Sequence, residues 1–269
     1  MATSATEENA LTELAAEKSA IEMAAAENRK LAAVFWDMDG TLIDSEPYWH
    51  ESEIKIAKEH GGEWSEELAW QYSGGSLKDV AQAMIARGTK MGVEEIGNAM
   101  VDYVAERESV EVPWVPDVLD LLQKLADAKI PSILVSNSPR RLVENIVDHA
   151  PKGAFAGFVC GDDGYPTKPS PEPYLAAGRL LGISAQNMKY CIAIEDSFAG
   201  LKSAAASGAT TLAQRAYSNL DVSGGPQFAD LDGYKDLTPQ ALERYVIDRI
   251  AQWRDDLSFR LKRSANRLA

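Results

Sequence analysis

From residue 31 onward, short apolar runs alternate with longer amphipathic stretches. The first run, Leu31-Ala32-Ala33-Val34-Phe35-Trp36, stops abruptly at Asp37-Met38-Asp39-Gly40-Thr41. That is the pattern of a short buried strand closed by a glycine turn. Between Ser45 and Val112 the spacing becomes helical, with breaks at Gly61-Gly62, Gly74-Gly75 and Gly92. Pro113-Trp114-Val115-Pro116 ends this stretch, because two prolines so close cannot continue a helix. Beyond it the pattern predicts helix 117–128, strand 131–135, helix 139–149, strand 157–160, helix 171–182, strand 190–194, helix 198–207 and strand 209–213. Apolar strands separated by helices of this length imply right-handed crossovers and a parallel sheet. The expected fold class is therefore α/β, a Rossmann-like parallel-sheet core with an inserted α-helical cap domain. The expected division is an N-terminal helical extension at 1–30, a core formed by 31–43 and 113–237, a cap at 44–112 and a C-terminal helix at 238–269. Inserted there, the cap lies over the carboxyl edge of the sheet, where open α/β sheets bind ligands.

The two ends of the chain differ from the middle. Residues 1–30 are rich in Ala and Glu, with Leu11, Leu14, Ile21 and Met23 roughly on one face, which predicts a solvated helix rather than a partner-binding one. The stretch 238–263 carries Arg244, Arg249, Arg254, Arg260, Lys262 and Arg263 among interspersed acids. It reads as a docked or solvated helix rather than a nucleic-acid element.

Composition narrows the function classes. A chain of 269 residues, 45% hydrophobic, can bury a large core. Its net charge of −14 argues against nucleic acid, and any anionic substrate must be drawn in by a local positive source. Cys160 and Cys191 lie in apolar runs and read as buried thiols, and the three histidines show no metal-ligand spacing. With no apolar run of about 18 residues and no signal-peptide pattern, the expectation is a cytoplasmic protein without a membrane segment.

The candidate chemistry lies where the predicted strands end. The first strand ends in Asp37 and Asp39, the second in Ser136-Asn137-Ser138 and the fourth in Glu195-Asp196-Ser197, while a loop carries Thr167-Lys168-Pro169. In a parallel sheet these ends lie side by side, so the four clusters should converge. Several carboxylates cannot share a small pocket without a counter-cation, and a hard divalent ion such as Mg2+ suits oxygen ligands beside a phosphate. Residues i and i+2 of an extended chain point the same way, so Asp37 can attack a phosphoryl group while Asp39 handles the proton. Ser136, the Ser138-Pro139 helix start and Lys168 supply positive character. Read singly, each signal has a plainer meaning. A lone Asp-x-Asp usually caps a turn, Glu195-Asp196 could cap a helix, and an isolated lysine is usually at the surface. Their joint occurrence at strand ends carries the reading.

The four segments resemble the signature motifs of the haloacid dehalogenase superfamily, over about residues 31–232 and in that family's order. DMDGT matches the first motif, which makes Asp37 the nucleophile and Asp39 the acid/base, with the Asp39 carbonyl a metal ligand. ILVSNS matches the second and puts Ser136 and Asn137 at the phosphate. TKP matches the third through Lys168, and IAIEDS the fourth, with Glu195 and Asp196 as metal ligands. The insertion after DMDGTLIDSEP is similar to the small helical cap of the β-phosphoglucomutase and sugar-phosphate phosphatase subgroup. The resemblance implies a Mg2+-dependent phosphatase that hydrolyses a small phosphorylated metabolite of sugar or polyol type through an aspartyl-phosphate. Gly74, Gly75 and Ser76 are candidates for substrate specificity, although a plain turn explains them equally well. A monomer or weak homodimer is expected.

Two rivals share the motifs. In a β-phosphoglucomutase, anchoring on Gly74 puts that family's arginine on Leu77 and its cap histidine on Trp49, departures that favour a phosphatase. A catalytically silent binding protein of the same fold would be expected to lack a motif residue, and none is missing. His50, His60 and His149 read as surface or cap residues, and Trp49, Trp64, Trp70 and Trp114 as packing in the cap and its hinge.

Overall fold

The structure, a computed structural model, describes residues 31–73 and 76–268, with side chains as far as Arg254. The expected helix at 1–30 and the Gly74-Gly75 pair therefore lie outside the described residues. Six strands form one parallel sheet in the order β3-β2-β1-β4-β5-β6: β1 Ala33–Trp36, β2 Ser132–Val135, β3 Phe155–Val159, β4 Cys191–Glu195, β5 Thr210–Gln214 and β6 Ala229–Leu231. The helices of the core are α5 Val118–Asp127, α6 Arg140–His149, α7 Glu172–Leu180, α8 Phe198–Ser207 and α9 Pro239–Leu268. Between β1 and α5 come four more, α1 Glu46–Glu59, α2 Glu66–Tyr72, α3 Leu77–Ala86 and α4 Val93–Val110. The α/β class and the inserted helical cap are as the sequence predicts. The strand expected at 157–160 starts two residues earlier, and β6 was not expected at all.

The period-two alternation of each strand sorts its side chains onto two buried faces. Val34 and Trp36 of β1, Leu134 of β2 and Ile192 and Ile194 of β4 join Leu121, Leu142 and Ile146 of α5 and α6 on one side. Ala33 and Phe35, Ile133 and Val135, and Cys191 and Ala193 join Tyr174, Ala177 and Ala204 of α7 and α8 on the other. A buried indole needs an acceptor, and Trp36 Nε1 donates to Ser132 Oγ at 3.1 Å. Continuing the alternation one step past β1 and to the last residue of β4 puts Asp37 and Glu195 on the face of Tyr174. The register Trp36↔Ile194 makes them neighbours.

The cap has its own apolar centre, in which Ile56, Ala57, Trp64, Ala69, Val80, Met84, Ile96 and Met100 meet. Its last helix, α4, serves both units, because Val101 and Val104 pack into the cluster that covers the sheet. The two connections to the core run side by side. Asp44 N donates to Pro113 O at 2.9 Å and Val115 N to Leu42 O at 3.0 Å. Cys160 and Cys191 are free and buried. Among the described residues no helix is long and apolar enough to cross a membrane.

Candidate active site

At the carboxyl end of β1 the chain turns sharply. Gly40 adopts φ +75°, the left-handed region that favours glycine, and a Cβ there would overlap the Asp196 carboxylate. The turn therefore fixes the backbone of the Asp37–Gly40 loop against the end of β4. Asp37 N donates to Ile194 O at 3.0 Å, extending the ladder to the loop itself.

Lys168, from the loop before α7, reaches under this edge. Its ammonium lies 2.6 Å from Asp37 Oδ1 and 2.6 Å from Glu195 Oε1, and it donates to Val135 O at 2.8 Å. The backbone of Lys168 is held as well, its N–H donating to Asn137 Oδ1 at 3.2 Å. Tyr174 Oη donates to the same Glu195 oxygen at 2.5 Å. Glu195 is wholly buried, and these two donors, with Ser197 Oγ at 3.4 Å from its other oxygen, compensate its charge. Asp196 is buried beside it, and oxygens of Asp37, Glu195 and Asp196 lie within 4.8 Å of one another.

The electrostatics follow from this crowding. Burial, then the charge of Glu195, pushes Asp37 up to about 7 against the opposing pull of Lys168. Burial, then the charges of Asp37 and Glu195, raises Asp196 well above the carboxylate range. Burial alone would lower Lys168, but Asp37 and Glu195 more than offset it, and the ammonium is held charged. Three carboxylates thus face one cation, an arrangement short of positive charge by two. A dication with hard oxygen ligands fits that deficit and this donor set, and the Gly40 turn leaves the Asp196 carboxylate free of a blocking Cβ.

Asp39 behaves differently. Its carboxylate accepts three hydrogen bonds. Ser45 Oγ donates to Oδ1 at 2.5 Å, Trp49 Nε1 donates to Oδ1 at 3.2 Å, and Ser138 Oγ donates to Oδ2 at 2.8 Å. The structure here corrects one expectation. Ser138 does not cap the helix start after β2; α6 begins at Arg140, whose amide donates to Asp162 Oδ2 at 2.6 Å, and Arg140 pairs with Asp163. The Asp162 carboxylate thus takes the first amide of the helix start that the sequence offered to phosphate. The Ser136 hydroxyl accepts from Ser138 N at 2.9 Å and lines the cavity with Asn137.

Asp37, Asp39, Lys168, Asp196 and the Ser136–Ser138 turn open onto a cavity of about 660 Å³ between sheet edge and cap. The core contributes Asp37, Asp39, Ser136, Asn137, Lys168 and Asp196 to its wall; the cap contributes Glu46, Trp49, Glu53, Tyr72, Ser76, Lys78 and Asp79, among others. Ser76 caps α3, accepting from Asp79 N at 3.2 Å. Glu46 is tied to the cap interior by Ser73 Oγ, which donates to it at 2.8 Å, and by His50 Nε2 at 3.1 Å. His50 is buried and sits edge-on to Trp70. It is therefore a cap-helix residue, one of the two places the sequence allowed it, and lies in the cap interior. The sequence reading missed Tyr174 and Glu108. Glu108, on α4, is buried with both carboxyl oxygens unpartnered among the described residues. Only its place among apolar neighbours on a helix carried any signal.

A parallel sheet whose first strand ends in paired aspartates, with a lysine bridging to Glu195 at the end of a neighbouring strand, defines a hydrolase-type α/β core with a helical cap inserted after that first strand. The chain belongs to the haloacid dehalogenase-like hydrolase family, whose profile matches residues 31–208. It is 26% identical over 181 residues to hexitol phosphatase A of Escherichia coli (strain K12), covering 67% of this chain and 82% of that one. It is also 26% identical over 176 residues to validoxylamine A 7'-phosphate phosphatase of Streptomyces hygroscopicus subsp. limoneus, covering 64% and 80%. Among solved structures, a HAD hydrolase of family IA, variant 3, from Entamoeba histolytica HM-1:IMSS superposes with a TM-score of 0.70 at 19% identity. It covers 80% of this chain and 98% of that one, and shares the fold.

Proposed function

We propose that this chain is a Mg2+-dependent phosphatase acting on small sugar or polyol phosphomonoesters through an aspartyl-phosphate on Asp37. The domain reading that goes with it is a core of 31–43 and 113–237 and a cap of 44–112. The observation that carries the proposal is Lys168, which joins Asp37 to Glu195 beside Asp196 in the wall of the cavity between core and cap.

In this reading Lys168 holds Oδ1 of Asp37, which leaves Oδ2 to attack phosphorus. The new O–P bond forms as the bond to the leaving oxygen breaks, and Asp39 gives that oxygen its proton. Asp39 then takes a proton from the water that hydrolyses the acyl phosphate. Ser136 and Asn137 orient the phosphoryl oxygens, with Lys168 as the fixed positive charge. Asp37, Asp196 and the Asp39 carbonyl would hold the ion, with Glu195 contributing while it anchors Lys168. When bound, Mg2+ neutralises phosphoryl charge and keeps the Asp37 carboxyl ionised. Positioned acid–base work of this kind contributes ~10²–10⁴-fold.

The substrate class rests on the hexitol and validoxylamine phosphate phosphatases to which the chain is similar, together with the cap wall. Glu46, Glu53 and Asp79 face Lys78 there, a balance that suits hydroxyl groups and disfavours a second anion. The same balance weighs against phosphoglucomutase chemistry, which must hold two phosphates. Phosphate release should be measured on hexitol phosphates, hexose phosphates and carboxylated phosphate esters, with Mg2+ and with chelator, for the wild type and Asp37→Asn. Turnover of the polyol and sugar phosphates, whose leaving groups are uncharged, that vanishes with chelator and in Asp37→Asn is expected. Undiminished turnover in Asp37→Asn, or none on the whole panel, would overturn the proposal.

A further inference from the structure

Glu53, on α1, is only 4% exposed, yet it lines the cavity between core and cap. Trp64 Nε1 donates to its Oε2 at 2.8 Å, while Oε1 has no hydrogen-bond partner among the described residues. Tyr72, Leu77, Val80 and Met100 share that part of the wall, so the surroundings of the carboxyl are largely apolar. A buried oxygen of this kind costs free energy until something pairs with it, and the cavity is where the partner can enter.

Helix α1 supplies the distance. Trp49 and Glu53 are four residues apart, so they share a face, and Glu53 lies about 6 Å further along the axis. The Trp49 indole donates to Asp39 Oδ1 at 3.2 Å, and Asp39 marks the place of the leaving oxygen. A zigzag chain advances roughly 1.2 Å per bond, so the five C–C bonds of a hexitol cover about 6 Å. A six-carbon ester cleaved beside Asp39 therefore brings its far terminus to Glu53, and a three-carbon ester does not. Burial pushes Glu53 up to about 7, against the Trp64 hydrogen bond and the charge of His50. A hydroxyl both donates and accepts, so it pairs with this carboxyl on either side of that value, whereas a carboxylate meets repulsion once Glu53 ionises.

We propose that Glu53 is a specificity-determining residue that binds the terminal hydroxyl of a hexitol phosphate, at the end remote from the phosphate. This rests on the phosphatase reading and deepens it. The substrate class narrows from small phosphomonoesters to six-carbon chains whose far terminus is hydroxylated and uncharged.

The test varies the far end of the substrate. At pH 8, kcat and KM should be measured for the wild type, Glu53→Leu and Glu53→Gln on a hexitol phosphate, its analogue lacking the terminal hydroxyl, the aldonate phosphate of the same length, and glycerol 3-phosphate. In the wild type, loss of the terminal hydroxyl is expected to lower kcat/KM ~10-fold or more, because the carboxylate is left unpaired, and the aldonate should fare worse. Glu53→Leu should erase the difference between the hexitol ester and its deoxy analogue while leaving glycerol 3-phosphate, which does not reach, nearly unchanged. Glu53→Gln removes the charge and should relieve the aldonate penalty ~10-fold or more. A purely structural role would lower all four esters together, and that outcome, or a wild type indifferent to the terminal hydroxyl, would overturn the proposal. If Glu53→Leu does not fold, Glu53→Gln decides: relief of the aldonate penalty supports the role, and a penalty as large as in the wild type rejects it. The two levels separate cleanly. Turnover of all four esters without discrimination removes only the role of Glu53, whereas no turnover of any ester removes the phosphatase reading and this proposal with it.

Discussion

The Lys168 ammonium lies 2.6 Å from Asp37 Oδ1, although 131 residues separate them along the chain. Both are buried, and Glu195 completes the cluster at the same distance from the ammonium. Removing one partner from a buried pair strands the other, at a cost of ~3–5 kcal/mol. Lys168→Met is therefore expected to unfold at markedly lower denaturant than the wild type and to lose turnover. Lys168→Met/Glu195→Gln should recover part of the stability and none of the activity. Denaturant midpoints at neutral pH check this, and a Lys168→Met protein as stable as the wild type would contradict the buried pair.

Crowded carboxylates give the metal prediction its sign. Asp196 is raised by burial and by the neighbouring charges of Asp37 and Glu195, so Asp196→Asn relieves repulsion in the metal-free protein. Without metal, Asp196→Asn should melt at or above the wild-type temperature. Added Mg2+ should raise the wild-type melting temperature progressively through binding to the folded state, and should do so far less in the variant. Thermal melts across a Mg2+ series read this without any turnover assay.

Gly200, in the first turn of α8, lies against Glu195, and a Cβ there would overlap both carboxylate oxygens. Because Glu195 is anchored by Lys168 and Tyr174, it cannot swing aside cheaply. Gly200→Ala should cost ~1–3 kcal/mol and lower activity. Gly97, inside α4 with open space around its Cβ position, provides the contrast. Gly97→Ala should gain ~0.5–1 kcal/mol through helix propensity. Paired chemical denaturation distinguishes the two.

Glu108 supplies a pH dependence. Burial, with the charge of Asp39 adding to it, pushes this carboxyl from its ordinary 4.5 up to about 8, and Asn145 faces it without reaching hydrogen-bond geometry. Between those two values the unfolded chain ionises while the folded protein stays protonated. The contribution of Glu108 to stability is thus present in full below 4.5 and is lost as pH rises through 8. Glu108→Gln cannot ionise, so its stability relative to the wild type should climb on the order of 1 kcal/mol per pH unit across that window and level off above it. A difference independent of pH would show that Glu108 is hydrated.

Much of the candidate site could be read in the residues because its parts lie in short local patterns. The alternation of Ala33, Phe35 and Asp37 and of Cys191, Ala193 and Glu195 already assigns both acids to one face of the sheet. Apolar strand ends followed by polar residues then say where the carboxyl edge lies. The misses share a cause. Ser138-Pro139 has the local form of a helix cap, but the hydroxyl turns to Asp39, a residue 99 positions away. β6 is three residues long and half exposed, too short for any periodicity to appear.

The sequence alone determined five of the six strands of the sheet, the order of its polar strand ends and the chemical types gathered there, because strand alternation and helix spacing are set by neighbours along the chain. Only the tertiary structure decided that Lys168 binds both Asp37 and Glu195, that Trp49 and Ser138 contact different oxygens of Asp39, and that Glu108 is buried with no hydrogen-bond partner among the described residues. Those are relations between oriented side chains brought together by packing of the cap on the core. No local pattern encodes the direction in which a hydrogen bond must point across such an interface.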